Sequence, residues 1–298
     1  MVCAFGGRGS RRGTLARGAF SLRPLRGSPR PLRLTPASLR RTLILTQTPK
    51  CSVFASRFGL QVNSQSELEP ETLNIKINER ESVTALLYPA PKRVRLGVTI
   101  VLGHGAGANQ LSGFMREFAR GLAARGLDAM TFNFLYTEQK RKLPDSKERL
   151  ESCYRAVIDA ALKHAKLKKN RLVIGGKSMG GRIASQVAAA DGKNIAGLVL
   201  LGYPLHPPGR PDKMRDQHLK EIQAPMRFVQ GSRDAFGTAD EIRATIKKHR
   251  LPATLYVIEG GDHSFKVPKS AGVPQQEVYE TVMDEVAAWS QSCQNQER

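Results

Sequence analysis

The chain has 298 residues, of which 40% are hydrophobic and 24% are charged, and its 47 lysine and arginine residues against 26 acidic residues give a net charge of +21. About 230 residues follow a distinct amino-terminal segment, which is a comfortable size for one domain. No apolar run is long enough to span a membrane. The four cysteines are widely scattered, at Cys3, Cys51, Cys153 and Cys293. They therefore lack metal-ligand spacing and indicate a reducing compartment.

Residues 1–66 differ from the rest of the chain. They contain 12 basic and no acidic residues, whereas the remaining 35 basic and 26 acidic residues account for only +9 of the net charge. A basic, acid-free leader is typical of a transit peptide, which predicts an organellar, mitochondrial location. The alternative is a disordered basic arm that binds nucleic acid nonspecifically in a cytoplasmic or nuclear protein. We therefore divide the chain into a leader at 1–66 and one domain at 67–298.

Downstream of the leader, strand patterns alternate with helix patterns. The segments 73–77 and 83–88 predict an antiparallel hairpin at a sheet edge. Strands that alternate with helices predict an α/β fold, a mainly parallel sheet with helices on both faces. Further strands are predicted at 96–102, 128–134, 171–175, 195–201, 226–230 and 253–259, and helices at 112–125, 147–166, 181–190 and 278–289.

The most informative motif is Gly176-Lys177-Ser178-Met179-Gly180, which lies between a predicted strand and a predicted helix. A serine on such a strained turn has its hydroxyl held clear of the sheet, and the flanking glycines avoid collision with the crossing backbone. This is the pattern of a nucleophile elbow, so Ser178 is the candidate nucleophile. A phosphate-binding loop is excluded because that motif needs a glycine where the chain has Arg171.

Two further candidates follow later strands. Asp234 lies in the turn after one predicted strand, and His263 lies in the loop after the next. Because the carboxyl ends of parallel strands meet at one sheet edge, these residues are expected to lie near Ser178. Their order, Ser then Asp then His, is the order of one class of serine hydrolases. Asp262 is an alternative acid, but adjacent residues seldom orient each other well, and Asp240 falls inside the following helix.

An oxyanion hole is predicted from two backbone N–H groups. One belongs to Met179, directly after the candidate nucleophile, and the other to a glycine-rich loop after an earlier strand. We place the second donor at Ala106, with Gly105 and Gly107 as alternatives, because small residues let the backbone approach a developing oxyanion. His104 in the same loop is expected to hold the loop by hydrogen bonding rather than to act on a substrate.

A short proline-rich loop, Tyr203-Pro-Leu-His206-Pro-Pro, follows the strand after the elbow helix, and one small helix is predicted at 213–222. The sequence therefore predicts little or no lid. His206 and Tyr203 are candidate substrate-binding residues. The alternative role of His206 is to hold the loop. Lys177 and Arg182, beside the elbow, are interpreted as solvated or packing residues, with attraction of an anionic substrate as the alternative.

Four segments together resemble a known family. They are similar to bacterial α/β-hydrolases grouped with dienelactone-hydrolase-like proteins, with which an animal testis-expressed protein and, more distantly, a subunit of the nuclear NSL histone acetyltransferase complex are grouped. The resemblance covers about residues 72–291 and implies the α/β-hydrolase fold, with Ser178, Asp234 and His263 at the triad positions. One departure is Ala235, where many relatives have proline. The segments are Gly175–Arg182, Gly202–Arg210, Val229–Gly237 and Gly260–Pro268.

From these residues we expect a serine hydrolase that cleaves a small carboxylic ester, thioester or lactone through an acyl-enzyme on Ser178. The alternative is a hydrolase fold kept as a protein-interaction module without catalysis, as the resemblance to the chromatin-complex subunit suggests. The expected partner is a small-molecule acyl substrate. No cofactor, metal, specific nucleic acid or membrane partner is expected, and the sequence leaves the oligomeric state open.

Overall fold

The computed structural model describes residues 69–293. The predicted leader at 1–66 lies outside the described residues. Within the described range, eight strands and five helices follow the predicted order, and a sixth, short helix that was not predicted follows the fourth strand. The strands are β1 (Glu71–Lys76), β2 (Ser82–Tyr88), β3 (Val98–Gly103), β4 (Leu127–Phe132), β5 (Arg171–Lys177), β6 (Ile195–Leu201), β7 (Met226–Gly231) and β8 (Ala253–Ile258). The helices are α1 (Gly113–Ala124), α2 (Leu135–Glu138), α3 (Lys147–Lys163), α4 (Met179–Ala190), α5 (Ala239–His249) and α6 (Gln275–Ser292).

The eight strands form one sheet in the order β1-β2-β4-β3-β5-β6-β7-β8. Strand β2 pairs antiparallel with β1 and β4, and all neighbours from β4 to β8 are parallel. The predicted hairpin therefore lies at the sheet edge, as expected. The mainly parallel sheet confirms the predicted fold class.

Helices cover both faces of the sheet, which explains why the central strands are apolar throughout. Successive residues of a strand point to opposite faces, and in β3 the side chains of Ile100 and Leu102 enter one core while Val101 enters the other. Helices α1 and α6 contribute to the first core, and α3, α4 and α5 to the second. A strand buried on both faces needs a continuous apolar run rather than an alternating one.

The predicted helix at 213–222 is wrong. This stretch contains only a 3-10 turn at Leu219–Glu221. The Arg215 N–H donates to the Leu205 carbonyl at 2.8 Å, and the buried Asp216 carboxylate pairs with His249 at the end of α5 at 2.8 Å. The Tyr203 hydroxyl also donates to the Arg215 carbonyl at 2.8 Å, and this carbonyl is a group that a helix over 213–222 would use internally. The connection between β6 and β7 stays short and forms no lid domain.

The loops that leave the carboxyl ends of the parallel strands gather at one edge of the sheet. The loops after β3, β5, β7 and β8 carry the residues predicted to do chemistry. None of the helices within residues 69–293 is long and apolar enough to cross a membrane.

Candidate active site

Ser178 lies on a sharp turn between β5 and α4. Its backbone has φ 51° and ψ −114°, a conformation that non-glycine residues rarely adopt. The Ser178 N–H donates to the Leu201 carbonyl of β6 at 2.9 Å, which ties this turn to the neighbouring strand. Strain of this kind persists only when the surroundings hold it, and it concentrates at functional sites.

The two glycines of the motif are required by the close approach of β3. A Cβ atom on Gly176 would lie 2.2 Å from the Gly103 carbonyl oxygen, and one on Gly180 would lie 2.0 Å from it. Gly176 also has φ +147°, where other residues are strained. The crossing backbone inferred from the sequence is therefore the end of β3, and it leaves no room for side chains beside Ser178.

Three loops bring Ser178, His263 and Asp234 into one hydrogen-bonded chain. His263 Nε2 lies 2.8 Å from Ser178 Oγ, and His263 Nδ1 lies 2.8 Å from Asp234 Oδ2. Both distances are those of hydrogen bonds, one between a nucleophile and a base and the other between that base and an orienting acid. The Asp234 side chain has no exposed surface, whereas 23% of the His263 side chain is exposed. The imidazole can thus meet a ligand from solvent while the carboxylate behind it stays dry.

The alternative acids have other partners. Asp262 Oδ1 accepts hydrogen bonds from the backbone N–H groups of Ser264 and Lys266 at 2.7 and 2.9 Å, so this carboxylate closes its own turn. Asp240 lies in α5 and pairs with Arg243 on the exposed surface. Among the acids considered from the sequence, Asp234 is the one that contacts His263.

Gln230 orients the Asp234 carboxylate, a contact that the sequence reasoning missed. This fully buried side chain donates from Nε2 to Asp234 Oδ2 at 2.9 Å, and its Oε1 accepts from the Tyr203 N–H at 2.8 Å. The Phe236 N–H donates to the other carboxylate oxygen at 2.8 Å. A polar residue near the end of an apolar strand, four positions before the acid, was the available signal.

Lys177 is the second missed residue of the site. Its ammonium donates to the His263 carbonyl oxygen at 2.5 Å and lies 5.1 Å from the ring centre of Phe265 and 5.9 Å from that of Phe114. Burial lowers the pKa of Lys177 from 10.5 to about 8, against the opposing effect of the Asp234 and Asp262 charges. Lys177 is therefore neither solvated nor simply packed, because it links the elbow to the backbone of the histidine loop.

Replacing Lys177 by methionine is expected to change how stability depends on pH. Between about pH 8 and pH 10.5 the unfolded chain holds the Lys177 proton while the folded protein releases it, so this group makes the wild type more stable as pH rises. The free energy of unfolding of the wild type minus that of Lys177→Met should therefore increase from pH 7 to pH 10 in urea titrations. Lys193→Met, at an exposed lysine, serves as the matched control. A difference that stays constant with pH would contradict this assignment.

Among the described residues, the N–H groups of the two predicted oxyanion donors have no hydrogen-bond partner. Met179 is the first residue of α4, where an N–H has no partner within the helix. The Ala106 N–H donates to no protein group within residues 69–293, and Ala106 is exposed. Gly105 lies beside the candidate nucleophile, since a Cβ atom on it would be 3.5 Å from Ser178 Cβ.

His104 fixes the direction of the loop after β3. Its Nε2 accepts a hydrogen bond from the Phe134 N–H at 3.2 Å, so its Nδ1 carries the proton and donates to the Gly105 carbonyl at 2.8 Å. Burial lowers the pKa of His104, which favours this neutral form. The C=O and N–H of one trans peptide point in opposite directions, so this bond directs the Ala106 N–H away from the His104 ring.

The prediction that Tyr203 binds substrate is wrong in this structure. Tyr203 is fully buried, and its hydroxyl donates to the Arg215 carbonyl at 2.8 Å. Burial raises the pKa of its hydroxyl well above the ordinary value. A side chain with no exposed surface has nothing to offer a ligand, and Tyr203 instead holds the chain around Arg215 against the loop after β6.

His206 has the loop-holding role that the sequence offered as its alternative. Its ring is almost fully buried and its Nε2 lies 3.1 Å from Glu241 Oε1 of α5. Its N–H donates to the Phe236 carbonyl at 3.0 Å. Phe236 in turn packs against the His263 ring, with ring centres 4.2 Å apart. His206 thus supports the loop that carries Asp234 and forms no hydrogen bond with Ser178 or His263.

Comparison with known proteins agrees with this architecture. A family model described as an alpha/beta hydrolase domain matches residues 97–291. The chain is similar to a dienelactone hydrolase from Anabaena variabilis, with a TM-score of 0.57 and 20% identity over 74% of this chain and 97% of that one. It is also similar to an α/β serine hydrolase without lid from Xanthomonas campestris, with a TM-score of 0.56 and 17% identity over 76% and 93% of the two chains. These likenesses show the α/β-hydrolase fold.

Proposed function

This chain belongs to the alpha/beta hydrolase domain family, and we propose that it is a serine hydrolase that cleaves a small carboxylic ester, thioester or lactone. The observation that carries the proposal is the continuous hydrogen-bonded chain from Ser178 Oγ through His263 to the buried Asp234. The elbow that holds Ser178 is strained, and within residues 69–293 the N–H groups of Met179 and Ala106 donate to no protein group. A site with these parts is suited to acyl transfer.

Acylation begins with proton transfer. His263 Nε2 accepts the Ser178 proton while Oγ forms a bond to the carbonyl carbon of the substrate, and the electron pair of the C=O bond moves to the oxygen. Asp234 keeps the His263 Nδ1–H in place and stabilises the imidazolium. The N–H groups of Met179 and Ala106 donate to the resulting oxyanion. The tetrahedral intermediate then collapses, the alkoxide or thiolate leaves with the proton from His263 Nε2, and an acyl ester remains on Ser178.

Deacylation repeats these steps with water. His263 accepts a proton from the water as its oxygen attacks the acyl carbon, and the same N–H groups hold the second oxyanion. When this intermediate collapses, Ser178 Oγ leaves and recovers a proton from His263, and the carboxylic acid is released. No step requires a metal or an organic cofactor. Within residues 69–293 no three His, Cys, Asp or Glu side chains are grouped as metal ligands.

Labelling with a fluorophosphonate tests this proposal against the interaction-module alternative. The folded wild-type chain is expected to gain one probe adduct, which peptide mass spectrometry would locate on Ser178, and Ser178→Ala is expected to gain none. Ser264→Ala is the matched control, because Ser264 is an exposed serine next to His263. A wild type that is folded by circular dichroism and still unlabelled would overturn the enzyme proposal and favour a scaffold role.

A further inference from the structure

Lys177 is the last residue of β5 and directly precedes the candidate nucleophile, yet its side chain reaches a loop that is 86 residues away in sequence. Its ammonium donates to the backbone carbonyl of His263, in the loop after β8, at 2.5 Å. The backbone of Lys177 is held by the sheet, because β5 pairs with β3 on one side and with β6 on the other. One side chain therefore joins the rigid strand before Ser178 to the main chain of the candidate base.

The main chain of His263 has no other anchor among the described residues. Asp262 closes the turn around it by accepting the backbone N–H groups of residues 264, 265 and 266. Within residues 69–293 the His263 N–H donates to no protein group, and its carbonyl accepts only the Lys177 ammonium. The hydrogen bonds of the imidazole fix the ring, whereas the bond from Lys177 fixes the main chain that carries the ring.

The surroundings of the ammonium hold it in this position. A Cβ atom on Gly202, directly after β6, would lie 2.7 Å from Lys177 Nζ, so a larger residue there would displace the ammonium. Gly202 also has φ +62°, a conformation that favours glycine. The ring centres of Phe265 and Phe114 lie 5.1 and 5.9 Å from Nζ, and an aromatic ring attracts a cation within about 6 Å. These groups together keep the ammonium against the His263 carbonyl.

The acids that face Lys177 are engaged elsewhere. Asp234 contacts the His263 ring, and Asp262 closes its own turn. Burial lowers the pKa of Lys177 to about 8, and the charges of the two acids oppose this effect. The groups of α1 and of the loop after β6 that lie against the ammonium are an aromatic ring and a glycine, which do not titrate. The nearby Tyr279 of α6 stays neutral at this pH because burial raises its pKa.

We propose that Lys177 is a positioning residue of the active site, whose ammonium holds the His263 main chain against the turn of Ser178 and keeps the imidazole aligned between Ser178 and Asp234. This inference rests on the proposed hydrolase function. A hydrogen bond from a charged donor is about twice as strong as a neutral one, and a misplacement of about 1 Å in an active site can cost about 100-fold in rate. In this role Lys177 touches no substrate and acts through His263.

The kinetic test separates positioning from substrate binding. With a short-chain 4-nitrophenyl ester at pH 7, Lys177→Met is expected to lower kcat by about 10- to 100-fold and to leave KM within a few-fold of the wild type, because only the alignment of the base changes. Lys177→Arg keeps a cation at this position and should recover part of kcat. Lys193→Met, at an exposed lysine, is the matched control and should behave as the wild type. A Lys177→Met kcat within a few-fold of the wild type would overturn the inference.

The pH dependence tests the charge itself. Since the Lys177 pKa is about 8, the wild type loses the ammonium charge between pH 7 and pH 9, and the neutral amine makes a weaker hydrogen bond. We expect wild-type kcat/KM, which reports the free enzyme, to fall several-fold over this range once the Ser178→Ala rate is subtracted. Lys177→Arg stays charged and should show no such fall. An equal fall in both proteins would contradict a role for the Lys177 charge.

A measurement that needs no ester hydrolysis separates this inference from the proposed reaction. The proton between His263 Nδ1 and Asp234 is expected to give a downfield proton NMR signal, assigned by its absence in His263→Gln. Lys177→Met should shift or broaden this signal at pH 7, and Lys177→Arg should restore it. That result without any hydrolysis would support the positioning role and overturn the reaction. Hydrolysis with the signal and kcat unchanged in Lys177→Met would keep the reaction and overturn the positioning role.

Thermal melting of each variant shows whether it is folded. If Lys177→Met does not fold, the comparison of the wild type with Lys177→Arg between pH 7 and pH 9 decides the inference by itself, because both proteins keep a cation beside the His263 carbonyl at pH 7 and only the arginine variant keeps it at pH 9.

Discussion

Ser178→Ala is expected to lower kcat/KM for a short-chain 4-nitrophenyl ester by about 10,000-fold or more. Alanine removes the oxygen that lies 2.8 Å from His263 Nε2, and with it the atom that would carry the acyl group. Loss of the triad serine costs about as much as loss of the whole triad, because the members act as a unit. The residual rate would come from the oxyanion donors and substrate binding alone.

The measurement is initial-rate kinetics of purified full-length protein, with Ser264→Ala as the control for an equal change in a neighbouring exposed serine. The control is expected to stay within a few-fold of the wild type. Both variants should melt near the wild-type temperature, since neither change touches the core. A Ser178→Ala rate within a few-fold of the wild type would show that hydrolysis, if any, occurs elsewhere, and the proposed mechanism would fail.

The sequence predicted the parts of this site that follow from topology. Parallel strands with apolar runs bring their carboxyl ends to one edge, so residues 178, 234 and 263, far apart in the chain, could be expected in one place. The glycines beside Ser178 were also informative in the sequence, because the close approach of the Gly103 backbone leaves no room for a larger residue at either position. In the structure these three residues form one hydrogen-bonded chain.

The supporting residues could not be predicted in the same way. Gln230 meets the Tyr203 backbone and Lys177 meets the His263 carbonyl, and both partners are distant in sequence, so local spacing does not indicate them. Tyr203 lies in the proline-rich loop after β6, which resembles the family. Only its complete burial shows that it holds the chain around Arg215 rather than a ligand. The predicted helix at 213–222 is wrong for the same reason, because hydrogen bonds to distant parts of the chain outweigh the local helix propensity.

Asp234→Asn is expected to lower kcat by about 10,000-fold although it changes little in shape. Every partner of the Asp234 carboxylate is a donor: Oδ2 contacts His263 Nδ1 and Gln230 Nε2, and Oδ1 accepts the Phe236 N–H. An asparagine has one acceptor oxygen and one amide group that only donates. If the amide faces His263, the imidazole must take the tautomer with its proton on Nε2, where it can no longer accept the Ser178 proton.

The opposite orientation is also unfavourable. With its oxygen toward His263, the asparagine amide would face the Phe236 N–H, and two donors would oppose each other in a place without water contact, since Asp234 is 1% exposed. In the first orientation the asparagine amide would also face Gln230 Nε2, and the Gln230 amide cannot turn its oxygen there because the Tyr203 N–H holds it. Both orientations therefore disturb the site, and the first one removes the base.

Asp262→Asn is the matched control, because it makes the same chemical change in the acid adjacent to His263. Asp262 accepts only backbone N–H groups of its own turn, and an asparagine oxygen can still accept these bonds. Its kcat is expected to stay within a few-fold of the wild type. If Asp262→Asn caused the large loss and Asp234→Asn the small one, the acid would be misassigned, whereas two small losses would mean that His263 needs no carboxylate. The predicted order of effects follows from the dry, donor-only surroundings of Asp234, which leave the imidazole one productive tautomer.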